Sequence, residues 1–171
     1  MLEALGNLGD FVGGLAVVVT LAYLATQIRQ NTSALRTASR QAVSSGYRET
    51  NRLRLAPEAA RAWAMGLREF GSLPFAESAL FSTLIADEAL FFQEAFALHE
   101  SGQLDDTTYR AYLDWFSAII ATPGGTHWWD TAGRPIYTPG MIDAVDERLA
   151  AGGLLDILEV PGFRLDEEGA A

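Results

Sequence analysis

The pattern of apolar and polar positions divides the chain into one long uncharged run and a series of amphipathic helices. Phe11 to Ile28 contains eighteen residues without a charge. A helix of that length rises about 27 Å, close to the roughly 30 Å hydrocarbon core of a bilayer. The helical pattern continues through "QIRQNTSALRTASRQAVSSGYRETNRLRLA" to a break at Pro57. "PEAARAWAMGLREF" then forms a second helix that opens on Pro57 and stops at "GSLP". A third runs from about Ala76 to Glu100. Its apolar set, Leu80, Phe81, Leu84, Ile85, Leu90, Phe91, Phe92, Phe96 and Leu98, is wider than one stripe and predicts the central helix of a core. "DDTTYRAYLDWFSAIIA" is a fourth, with Asp105 or Asp106 as its cap. A short helical piece follows at "THWWD", and "MIDAVDERLA" ends at Gly152-Gly153.

No strand is predicted. The expected fold is all-α: an N-terminal transmembrane helix continuing into a long stalk helix, then a small helical bundle. The segments are 1–30 (span with a short external N-terminus), 31–56 (basic juxtamembrane stalk), 57–160 (acidic bundle) and 161–171 (an acidic tail expected to be flexible).

Two other readings of the apolar run compete with the span. A secretory signal requires a basic n-region, whereas the N-terminal flank here carries Glu3 and Asp10 and no basic side chain. A buried helix of a soluble domain is the harder rival, because Gly9, Gly13 and Gly14 dilute the apolar character. Thr20 and Thr26 suit a span, since their hydroxyls can bond back to their own helix.

Charge adds a direction. Residues 1–28 sum to −2, residues 29–68 to +6 and residues 69–171 to −14, within a net charge of −10. Arg29, Arg36, Arg40, Arg48, Arg52 and Arg54 all follow the run, which places the N-terminus outside and the C-terminal domain in the cytoplasm of a bacterial inner-membrane protein. On a continuous helix Arg29, Arg36, Arg40 and Arg54 share one arc, available to anionic lipid or an acidic protein surface. The acidic body argues against nucleic acid as a partner.

Small residues suggest association. Gly9 and Gly13 have GxxxG spacing. Gly14, Leu21, Ile28, Leu35 and Ala42 recur every seven residues, with Ser39, Gly46 and Leu53 as a second row. Membrane lipid, a second copy of the chain or other membrane-protein subunits are the expected partners.

Composition removes much chemistry. There is no cysteine and every basic residue is arginine, so thiolate nucleophiles, cysteine-bound zinc, lysine Schiff bases and a P-loop lysine are excluded. No cofactor, metal site or catalytic residue is predicted. His127, Trp128 and Trp129 are candidates for holding a ring-shaped ligand, although two indoles after a Pro-Gly-Gly turn more often lock a helix onto a core. Glu88 shares a face with Phe81, Leu84, Ile85 and Phe92, and a buried ion pair with Arg61 or Arg68 is its plainest reading. An enzymatic alternative draws on Glu88, Glu94 and His99, but Glu94 and His99 lack the Glu-x-x-His spacing of diiron sites.

"GNLGDFVGGLAVVVTLAYLATQIRQNT", "RAWAMGL", "TPGGTHWWD" and "IYTPGMIDAV" together resemble a widespread group of uncharacterised bacterial single-span membrane proteins with a small helical cytoplasmic domain. The resemblance covers most of the chain, with "QIRQNT" and the "PGG…WW" turn as its specific parts. It implies topology and supplies no catalytic residue.

Overall fold

In the computed structural model the described residues are 2–160, with side chains from Val12 onward. They form six α-helices and no strand: α1 (Leu2–Leu53), α2 (Pro57–Glu69), α3 (Phe75–Glu100), α4 (Asp106–Ile120), α5 (Pro123–Trp128) and α6 (Pro139–Ala151). A long apolar N-terminal helix is thus followed by a small helical bundle. Short 3-10 turns lie at Phe70–Ser72 and Ile157–Glu159, and a π turn at Trp129–Gly133. The chain divides into two units, Met1–Ala38 and Ser39–Ala171.

Within the first unit, α1 carries its apolar side chains outward. Leu21 is 59% and Ile28 67% exposed, and the most apolar window has a mean hydropathy of 1.5 with no residue buried. The Thr20 hydroxyl donates to the Ala16 carbonyl at 2.8 Å, the Thr26 hydroxyl to Ala22 at 2.9 Å, and the Gln27 amide to the Tyr23 hydroxyl at 2.7 Å. The polar groups of this stretch are satisfied inside the helix.

The second unit is built around α3, which packs on α2 and α4; α4 packs in turn on α6, and α5 on α2. The helix starts follow local chemistry. Proline stands in the first turn of α2, α5 and α6, where its missing N–H costs nothing. Asp105 caps α4 by accepting the Thr108 N–H at 3.1 Å, and Thr122 caps α5 by accepting the Gly125 N–H at 3.0 Å. The core gathers Trp63 and Leu67 from α2, Phe81, Ile85 and Phe92 from α3, Phe116 and Ile119 from α4, and Met141 and Val145 from α6.

Two details position the rest. A Cβ on Gly124 would run into the Gly66 carbonyl, so the backbones of α2 and α5 touch with no side chain between them. After α6, Gly152 and Gly153 adopt left-handed φ values of 67° and 69°, a conformation glycine takes without strain, and the chain turns to seat Ile157 in the core at 1% exposure.

The central-helix expectation for α3 needs one correction. Leu90, assigned to the core from its apolar character, is 55% exposed. It falls between Asp87 and Glu94 on the face that the other core residues turn away from, and the breadth of the apolar set hides this at the level of sequence.

Candidate functional site

The terminal part of α1, from Ser39 to Leu53, lies antiparallel to α3. Arg40 is 2.9 Å from Asp105, beyond the end of α3, whereas Arg54 reaches Glu88 near its middle. The face between is small or aromatic. Val43 is buried, and Gly46 lets the Phe91 ring come to 3.3 Å from where a Cβ would stand. Tyr47 packs against Phe91 and Tyr112 with ring centres 5.7 and 5.8 Å apart. Ser39 and Gly46 of the second seven-spaced row therefore take part in this contact, while Leu53 stays half exposed.

Glu88 is the most deeply buried charged group described, its side chain 1% exposed. The Arg54 guanidinium, 8% exposed, pairs with one carboxylate oxygen, and the Trp115 indole N–H donates to the other at 2.9 Å. The guanidinium also lies over the Trp63 ring, 4.1 Å from its centre. Burial raises the Glu88 carboxyl above the usual carboxylate value, outweighing the pull of Arg54 and Trp115 in the other direction. The Arg54 Nε–H has no acceptor among the described residues.

The buried pair is therefore present with a different partner from those expected. Arg61 and Arg68 belong to α2. Arg61 is exposed beside Glu58 and Glu77, and Arg68 donates to the Ala64 carbonyl at 2.8 Å. Arg54 and Arg40 of the arginine arc both meet acidic side chains of the bundle, Glu88 and Asp105. α1 stops at Leu53, and Arg54 continues the face of Val43, Tyr47 and Thr50, at i, i+4, i+7 and i+11, which the bundle covers. The signal in the sequence is Val43 and Tyr47, apolar or aromatic positions on the same helical face as Arg54. Trp63 and Trp115 gave no such signal, since tryptophan at helical spacing reads only as core.

The other arginines differ. Arg29 and Arg36 are exposed and make no ion pair with described residues, whereas Arg40 meets Asp105 across a largely solvated gap. Gly13 and Gly14 have open space around them, and Leu21, Ile28, Leu35 and Ala42 are exposed. Gly9 lies outside the residues whose side chains are described. Gly13, Gly14 and the row from Leu21 to Ala42 are thus uncovered by the described residues.

Trp128 and Trp129 are 2% and 1% exposed, with their rings against Tyr137 and, for Trp129, Phe116. His127 points the other way; it is exposed and edge-on to Phe70, ring centres 5.4 Å apart. The three do not converge on one opening, because consecutive helical positions diverge by about 100°.

Glu94 is exposed, and His99 lies eleven residues beyond Glu88, about 16 Å along the axis, so these three do not meet either. His99 stacks on Tyr109 at 4.0 Å and its Nε2 is 3.1 Å from Asp106. No group of three or more metal-ligating side chains occurs among the described residues.

Comparison with protein-family models, with curated proteins and with solved structures finds no match.

Proposed function

We propose that this is a membrane-anchored helical protein that works through association, as a homo-oligomeric scaffold or as an accessory subunit of a larger membrane assembly. The observation that carries this reading is the α1 stretch from Val12 to Ile28, apolar over its length, with its side chains outward and its polar groups satisfied within the helix. In water that surface is costly at roughly 25 cal/mol per Å² of apolar area, and lipid or a neighbouring helix removes the cost. The open space at Gly13 and Gly14 allows close helix approach, and the Leu21, Ile28, Leu35 and Ala42 row extends the same seam.

Arg29 and Arg36 begin where the apolar stretch ends, which favours a bacterial inner-membrane location with the N-terminus outside and the bundle in the cytoplasm. They contact lipid headgroups there. No enzymatic role, cofactor or nucleic acid belongs to this reading.

The test begins with fractionation of cells making the full chain. The protein is expected to stay in membranes through an alkaline carbonate wash and to require detergent for release; a chain that purifies as a soluble species without detergent overturns the reading. Because the chain has no cysteine, Asn7→Cys and Ser33→Cys allow a membrane-impermeant thiol reagent to report the side each occupies. Only Asn7→Cys is expected to label in intact cells. Photo-crosslinking in native membranes should then trap multimers or a defined partner; a strictly monomeric species with neither counts against the association.

A further inference from the structure

Along the bundle, the last two turns of α1 and the middle of α3 leave a solvent-open groove of about 300 Å³. Gly46 and the edge of Phe91 form its floor. Leu53 and Leu90 form its walls, 46% and 55% exposed. Glu49, Asp87 and Glu94 stand on its rim. Packing among the described residues explains the floor and leaves the two leucines uncovered. Asp87 and Glu94 make no ion pair with described residues, and Glu49 has only the exposed Arg52 at 3.3 Å.

We propose that this groove is a docking site for a basic amphipathic helix of another protein, its leucine-like side chains laid between Leu53 and Leu90 and its arginines or lysines on Glu49, Asp87 and Glu94. The shape supports a helix. Each wall comes from one helix at i, i+3, i+4 and i+7 spacing, Gly46 to Leu53 on α1 and Asp87 to Glu94 on α3, so the groove runs about two turns, the footprint of a third helix laid alongside.

The charge selects the occupant. Two copies of this chain meeting through the groove about a two-fold axis would set three carboxylates against three, a like-charge contact that disfavours self-association here. The chain's own residues 161–171 carry one arginine against three acids and bear the same sign as the rim. A bare cation is a poor fit, because the rim acids do not form a metal-ligating group. A cationic side chain on an apolar helix satisfies both halves of the surface. The groove lies wholly within residues 39–171, so its occupancy does not depend on where residues 12–28 reside.

The test uses the full chain in a zwitterionic detergent and a labelled helical peptide with two leucines one turn apart flanked by arginines, beside a twin carrying glutamates in their place. Fluorescence anisotropy is expected to report saturable binding of the arginine peptide only, weakening as salt is raised. Leu90→Ser should weaken it about tenfold, and Asp87→Asn with Glu94→Gln about tenfold while flattening the salt dependence. Leu90 and Glu94 are exposed and Asp87 is partly exposed, and circular dichroism checks that the variants stay folded. Equal binding of the glutamate twin, absence of saturable binding, or full affinity in both variants overturns the proposal. So does a Leu90→Ser variant that converts an oligomer of the chain to monomers, which would make this face a contact between copies.

Discussion

Arg54, one residue past the end of α1, closes on the carboxylate of Glu88 in the middle of α3, and neither side chain has appreciable contact with water. Two helices distant in sequence are thereby tied through one ion pair with an indole on each side of it. Removing one partner leaves the other charge buried and alone. Arg54→Ala is expected to cost ~3–5 kcal/mol of unfolding free energy, whereas Arg54→Met with Glu88→Leu should lie within a few kcal/mol of the parent or above it. Thermal and denaturant unfolding of the three proteins in one detergent checks this. Near-additive losses in the double variant would show that the pair is not coupled.

Asp105 gives the acid side of the stability profile. Its carboxylate accepts the Thr108 N–H and hydroxyl and faces Arg40, and these hold its pKa below the ordinary 3.8, the Thr108 bonds first. A carboxyl depressed in the folded state contributes stability above 3.8 and loses it as the pH falls from there through the folded value. Asp105→Asn keeps an acceptor for the cap but no charge. Its melting temperature should therefore lie below that of the parent at neutral pH, and the gap should narrow as the pH drops below 3.8. A gap that is constant with pH would remove the charge from the explanation.

Gly124 is expected to tolerate no side chain. With the Gly66 carbonyl where a Cβ would be built, Gly124→Ala must push α5 off α2, at a cost of ~1–3 kcal/mol or more. Gly102, whose φ is 71° but which has nothing around it, is the control: alanine there strains the backbone without a clash. The larger drop in melting temperature should belong to Gly124→Ala.

Val18 lies outward in the apolar stretch of α1. Val18→Arg adds a charge worth about +2.5–3.5 kcal/mol against insertion at the centre of a span. A single such charge is expected to lower the membrane-retained fraction, and Val18→Arg with Leu21→Arg to abolish it, while the bundle keeps its helical content. Unchanged retention of the double variant would argue that residues 12–28 are not what holds the protein to the membrane.

Most helices were legible from the sequence because their boundaries rest on local chemistry: Pro57 opens α2, Asp105 caps α4 and Gly152 ends α6, whereas α5 and α6 begin at Pro123 and Pro139, a few residues ahead of the "THWWD" and "MIDAVDERLA" starts read from the pattern. The pairing of charges was not. Glu88 announced itself by interrupting an apolar helix, but its partner depended on which stretch of the arginine arc the bundle covers, a tertiary fact that helical periodicity alone does not carry. Leu90 failed for a related reason. On a helix apolar on most sides, composition alone does not reveal which side meets solvent. The indoles of Trp128 and Trp129 went to the core as Pro-Gly-Gly geometry allows, leaving His127 outside against Phe70.

The seat of Ile157 sets the order of events during synthesis. The hydrophobic interior of the bundle is sealed by a residue that follows all six helices, brought home through two consecutive left-handed glycines. A nascent polypeptide meets the rest of its core before this stopper emerges from the ribosome, and until it does the interior stays unplugged to solvent. A chain that lacks this residue has every helix but a hole in its core, a loss of about 2–5 kcal/mol on the scale of a buried Ile→Ala change.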